Sequence, residues 1–263
     1  MGTFRFKKFE VVNERSAMKV NTDGVLLGAT MTIREGDRCM LDVGTGTGTI
    51  ALMAAQRASE KDCHVADAPR NDVEGGKDDS RAEPIHIDAI DIDEPSASEA
   101  GDNFRNSPWS CSLHAHNMSL NEFVRSLPQG WVYDLIFSNP PYFEDSMTAP
   151  DERKSTARHT SEGLSYRDIL EFSKDRLADE GRVALVLPAD QEAALCRYAR
   201  MCGLHMFRII RVRTVPRKAP TRIIAEFSRH RCETMQEGLL TIQNQGQYTE
   251  EYLSLTHEFY LFA

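Results

Sequence analysis

The sequence predicts an α/β protein built on a doubly wound, mostly parallel, seven-stranded sheet with a terminal antiparallel hairpin. Three observations carry this. Short apolar runs of strand length alternate with helical patterns from residue 39 to 203. One strand, Met40 to Val43, runs into a glycine-rich turn, Gly44-Thr45-Gly46-Thr47-Gly48, and then into a helix. Another, Leu135 to Phe137, stops at Asn139-Pro140-Pro141. Proline lacks the N–H that a central ladder requires, so Asn139 must stand at a strand's carboxyl end, where open α/β sheets bind their ligands.

Taken in order, Thr3 to Val12 is a strand-like aromatic and basic segment. Thr22 or Asp23 can cap a helix bearing Val25, Leu26 and Ala29. Cys39 to Val43 is the first core strand, followed by a helix from Thr49 to Ala58. Residues 59–84 are poor in large apolar groups and read as a mobile insertion, because so polar a stretch cannot bury enough surface to offset its ordering entropy. Ile85 to Ile92 is the second strand, and Pro95 opens a helix to Asn106. The third strand, Ser112 to Ala115, leads through Asn117 to a capping box at Ser119 and Glu122. The fourth is Asp134 to Ser138. A helix capped by Ser165 then runs through Leu177 to a stop at Gly181, and Val183 to Leu187 is the fifth strand. A helix from Asp190 to Cys202 precedes two closing strands, Phe207 to Val215 and Arg222 to Ser228. Leu239 to Ile242 adds a short strand before an aromatic tail from Thr249 to Ala263.

With 263 residues and 41% hydrophobic content, the chain is expected to form a single domain, 1–263, in which residues 1–34 are an N-terminal strand and helix extension. No apolar run reaches the roughly 18 to 20 residues of a membrane span, and the amino terminus lacks a signal peptide's apolar core. A cytoplasmic protein is expected. The six cysteines contain no Cys-x-x-Cys pair, so reduced thiols and no metal site are expected. A net charge of -9 argues against a nucleic-acid partner, but the distribution is uneven. Arg208 to Arg222 holds Arg211, Arg213, Arg217 and Lys218 with no acid, and Arg153, Lys154 and Arg158 follow the Asn-Pro-Pro-Tyr stretch.

Gly44-x-Gly46-x-Gly48 alone is a weak signal, because nicotinamide-binding folds also use glycine-rich turns, with spacing Gly-x-Gly-x-x-Gly. Asp42, just before the turn, is poorly placed beside a pyrophosphate and well placed for an amino group such as that of S-adenosylmethionine. Asp91 can accept hydrogen bonds from ribose hydroxyls, and Asn117 can meet an adenine edge. Asn139 and the Pro140 carbonyl are fixed acceptors beside the ring of Tyr142, a lip that suits a planar molecule bearing an amino group.

With Asp42-x-Gly44-x-Gly46-x-Gly48 and Asn139-Pro140-Pro141-Tyr142 in hand, the chain resembles class I, Rossmann-like, S-adenosylmethionine-dependent methyltransferases. Lys19-x-Asn21-Thr22-Asp23-Gly24-Val25-Leu26-Leu27-Gly28 narrows the resemblance to the bacterial tRNA-valine adenine-37 N6-methyltransferases. The resemblance implies a cofactor site of Thr22, Asp42, Gly44, Gly46, Gly48, Asp91, Ile92 and Asn117, and a catalytic lip of Asn139, Pro140 and Tyr142. It also implies tRNA contacts from Phe143, Arg153, Lys154, Arg158, Arg211, Arg213, Arg217 and Lys218. Three alternatives stay open at this point: methylation of a glutamine amide in a release factor, a nicotinamide oxidoreductase, and a non-catalytic RNA-binding module.

Overall fold

The structure, a computed structural model, describes residues 2–66, 84–141 and 163–263. Thr3 to Val12 does not form one strand. It folds back at Lys7 and Lys8 into an antiparallel hairpin of β1 (Thr3–Arg5) and β2 (Glu10–Val12), because Phe6, Phe9 and Val11 all turn into one apolar core. Helix α1 (Thr22–Thr30) follows, then β3 (Cys39–Val43) and α2 (Thr49–Ala66). The helix α2 therefore continues eight residues past Ala58, into the stretch read as an insertion; residues 67–83 lie outside the described residues. Glu60 on this added length pairs with Lys8 at 2.6 Å and ties it to the N-terminal hairpin.

The chain continues through β4 (His86–Asp91), α3 (Glu94–Arg105), β5 (Leu113–Asn117), α4 (Leu120–Ser126) and β6 (Tyr133–Ser138). Beyond the undescribed stretch come α5 (Tyr166–Arg176), β7 (Leu177–Pro188), α6 (Glu192–Met201), β8 (His205–Arg213), β9 (Arg222–Ser228) and β10 (Gln236–Thr241). A small hairpin of β11 (Gln243–Asn244) and β12 (Gln247–Tyr248) leads to α7 (Glu250–Thr256).

The central sheet has eight strands in the order β10-β8-β9-β7-β6-β3-β4-β5. It is mostly parallel, and β9 runs antiparallel to both β7 and β8, which is the expected terminal hairpin. The eighth strand is β10, which pairs parallel to β8 from Gln236 to Thr241, a longer reach than Leu239 to Ile242. The α5 helix ends at Arg176 rather than running past Leu177, because Leu177 already pairs with Tyr133 and the register slips before Arg182 meets Leu135. Two apolar layers flank the sheet. The N-terminal hairpin, α1, α2, α3 and the C-terminal aromatics cover one face, and α4, α5 and α6 cover the other. Among the described residues, no helix is long and apolar enough to cross a membrane.

Candidate active site

The sheet's carboxyl edge gathers the ends of β3, β4, β5 and β6. Parallel pairing of β3 with β6 sets Asp42 opposite Phe137, and the buried Ser138 hydroxyl donates to the Val43 carbonyl at 2.5 Å. That bond fixes Asn139 and buried Pro140 beside the turn that follows β3. Gly44, Gly46 and Gly48 all have positive φ, at 73°, 57° and 79°, which side chains rarely tolerate. The turn is pinned to β4 through the Gly44 and Thr45 amides, which donate to the Ile90 carbonyl at 2.9 and 3.0 Å. The Gly46 amide donates to Asp91 Oδ2 at 2.9 Å.

Asp42 is completely buried, its Oδ2 accepting from the Thr45 hydroxyl at 2.7 Å, while its Oδ1 has no hydrogen-bond partner among the described residues. Burial, reinforced by the negative charge of Asp91, pushes its carboxyl up to about 7, against the Thr45 bond that pulls it down. A buried carboxylate oxygen without a partner is costly, and a docked amino group would satisfy it. Asp91 Oδ1 accepts from the Asp93 amide at 2.9 Å, and burial raises its pKa as well. Beyond it, Ile92 is 74% exposed, a flat apolar surface at the end of β4. Asn117 spends its amino group on the Asp91 and Ile92 carbonyls, both at 3.1 Å, which turns its Oδ1 the other way. An orphaned acid, a glycine cradle and an apolar platform together fit the amino, ribose and adenine parts of S-adenosylmethionine.

The sequence placed Asn21 within the Lys19–Gly28 stretch without giving it a role. The α1 cap is neither Thr22 nor Asp23 but Asn21, whose Oδ1 accepts from the Gly24 amide at 2.8 Å. The same oxygen faces Asn139 Nδ2 at 3.5 Å, so it turns the Asn139 carbonyl oxygen away from α1. Asn21, Gly44, Thr45, Thr47 and Asn139 share one small cavity of about 30 Å³, which Met18, Lys19 and Val20 also line. Thr22 is exposed and lines a different cavity, with Asp23.

The basic segment is not one face. Arg211 pairs with Glu192 at the start of α6 and, at 2.6 Å, with Glu237 on the neighbouring strand β10, and these pairs raise its pKa. Arg213 donates to the Thr241 hydroxyl at 2.8 Å, Arg208 pairs with buried Glu226, and Arg222 pairs with Asp23 at 2.8 Å. The acids that neutralise this run come from distant elements. Arg217 and Lys218 remain exposed in the β8–β9 connection. Tyr142, Phe143, Arg153, Lys154 and Arg158 lie outside the described residues.

Among known proteins, the chain is 38% identical over 98% of its length to the tRNA1(Val) (adenine(37)-N6)-methyltransferase of Parabacteroides distasonis, covering 97% of that protein. The chain belongs to that family. It is likewise 36% identical to the enzyme of the same name from Mannheimia succiniciproducens, covering 98% of this chain and 94% of the other. No family model matches. A predicted O-methyltransferase from Agrobacterium tumefaciens superimposes with a TM-score of 0.61 at 14% identity, over 90% of this chain and 96% of that one, and so shares the fold.

A stability test follows from Asp42. Its folded carboxyl titrates near 7 and an unfolded one near 3.9, so the folded chain holds the extra proton between these values and loses stability as pH rises through them. Urea unfolding of Asp42→Asn should therefore gain on wild type from pH 4.5 to pH 8, by up to about 3 kcal/mol. Parallel pH profiles for the two proteins would contradict the buried, proton-holding Asp42.

Proposed function

We propose that this chain transfers a methyl group from S-adenosylmethionine to the exocyclic N6 of adenine 37 in a valine tRNA. The observation that carries the reading is the juxtaposition, in one cavity, of Asn139 at the end of β6 with the Gly44–Thr47 turn. Relatives covering nearly the whole chain bear names that specify this reaction, which favours RNA over a protein glutamine.

Bound S-adenosylmethionine supplies an electrophilic methyl on a positively charged sulfur. The chain's part is to present a weak nucleophile correctly. The adenine N6 lone pair is delocalised into the ring, and it becomes available when the amino group pyramidalises. Asn139 Oδ1 and the Pro140 carbonyl accept the two N6 hydrogens and hold the nitrogen in that shape, aimed at the methyl. S-adenosylmethionine held at the glycine turn would give up its methyl to this nitrogen and keep the sulfur's electron pair, and the proton that N6 then sheds would pass to solvent. Positioning and electrostatics, with no strong base, supply the acceleration. The target adenine must leave its stack to reach the lip, where Tyr142 would contact its ring.

Transfer of labelled methyl to a valine tRNA transcript, and to the same transcript with guanine at position 37, tests this. Label should enter the first and not the second; equal labelling of both would overturn the assignment. Arg217 and Lys218, exposed on the β8–β9 connection, fit phosphate contacts. Removing both charges should weaken tRNA binding and reduce the slope of log affinity against log salt by about 1.5 to 2. An unchanged slope would place the phosphate contacts elsewhere.

A further inference from the structure

A second cavity, of about 370 Å³, lies on the same edge of the sheet and plays no part in the chemistry above. Its walls include Asp23, Thr214, Thr221, Arg222, Gln243 and Tyr248, and buried Val212 and Tyr252 form its apolar floor. The volume is within the roughly 300 to 1,000 Å³ of small-ligand pockets. Strand β8 runs in the same direction as β6, so its Val212 end reaches the edge that carries Asn139. In the order β6-β7-β9-β8, at about 4.8 Å per strand, the cavity stands roughly 10 to 15 Å from Asn139. The start of α1 is the partition: Asn21 lines the first cavity, and Thr22 and Asp23 line the second.

The lining selects a kind of ligand. Tyr248, 41% exposed, is held in place by its rings' contacts with Tyr252 at 4.9 Å and Phe262 at 5.4 Å, so an aromatic wall is prepared in advance. Gln243 offers both a donor and an acceptor, and the Thr214 and Thr221 hydroxyls can serve as either. Exposed Arg217 and Lys218 lie in the connection between these two threonines. A flat group with polar edges, joined to an anion, matches an aromatic wall, mixed hydrogen-bonding groups and the exposed cations of the adjoining β8–β9 connection.

We propose that this cavity receives a second unpaired base of the same RNA, a loop neighbour of the methylated adenine, with its phosphate on the Arg217–Lys218 rim. Single-stranded loops can splay bases apart in this way, and two base pockets on one edge would fix which adenine reaches Asn139. The inference rests on the tRNA reading above.

The test compares wild type with Tyr248→Leu, which removes the ring, and Thr214→Trp, which fills the cavity from an exposed position outside the aromatic contacts. Each is assayed for affinity and methyl transfer on tRNA and on tRNAs carrying one abasic nucleotide at each anticodon-loop position in turn. Both variants should lose about 5- to 150-fold in RNA affinity, the range of one base–aromatic contact. One abasic position, other than the target, should cost wild type a similar factor and cost the variants little, the non-additivity of two changes in one contact. Losses that multiply at every position, or full affinity in Thr214→Trp, would overturn the second base site while leaving the tRNA reading intact. A wild-type protein that methylates none of these RNAs, or that methylates a glutamine peptide instead, would overturn both.

Discussion

Asn139→Ala should bind S-adenosylmethionine and tRNA with near wild-type affinity and lose on the order of 10²- to 10³-fold in kcat, the cost of deleting one pre-positioned group at a reacting centre. The side chain sits on a strand end locked by the Ser138–Val43 bond, and its Nδ2 faces Asn21 Oδ1 at 3.5 Å. Removal therefore leaves the sheet edge in place and withdraws one acceptor from the N6 hydrogens. Single-turnover methyl transfer with saturating ligands measures the effect. A variant with wild-type kcat and a raised KM would show that Asn139 only binds RNA.

Gly48→Ala should be the most damaging small substitution in the glycine turn. Its φ of 79° is strained for alanine, and the added Cβ would sit 2.4 Å from Phe104 Cε1 and 2.9 Å from Cζ. Phe104 is buried in the core and has nowhere to move. Strain of about 1 to 3 kcal/mol and overpacking of a similar size together predict a loss of about 2 to 5 kcal/mol in folding stability. Gly203 supplies the control, since its φ is 74° and an added Cβ meets nothing within 4 Å. Urea unfolding should show Gly203→Ala losing only the strain part, and Phe104→Leu should recover part of the loss in Gly48→Ala. Equal losses at the two glycines would show that contact with Phe104 contributes nothing.

The strand ends that build the site were legible because glycine and proline punctuate them. Gly44, Gly46 and Gly48 can only mark a turn in unusual backbone, and Pro140-Pro141 can only end a ladder. What stayed hidden depends on partners far away in sequence. Asn21, Thr22 and Asp23 are three competent caps in a row, and it is the bond from the Gly24 amide to Asn21 Oδ1 that distinguishes the first from the others. Arg208, Arg211 and Arg222 read as a basic run because Glu226, Glu192, Glu237 and Asp23, which neutralise them, lie on other elements. The strand β10 was only half visible, since its first residues, Gln236 to Gly238, carry no apolar pattern and are held by pairing with β8. The extension of α2 to Ala66 was masked by a composition that also suits a loop.

The central claim is that the acceptor pair at Asn139 and Pro140 directs a methyl group onto an adenine amino nitrogen in RNA. Nucleoside mass spectrometry tests it most directly, on tRNA incubated with the purified protein and S-adenosylmethionine carrying a heavy methyl group. The account predicts heavy N6-methyladenosine with wild type and, in the initial phase of the reaction, on the order of 10²- to 10³-fold slower formation with Asn139→Ala. Heavy label on a ring nitrogen, on a ribose oxygen or only in a protein glutamine would contradict it.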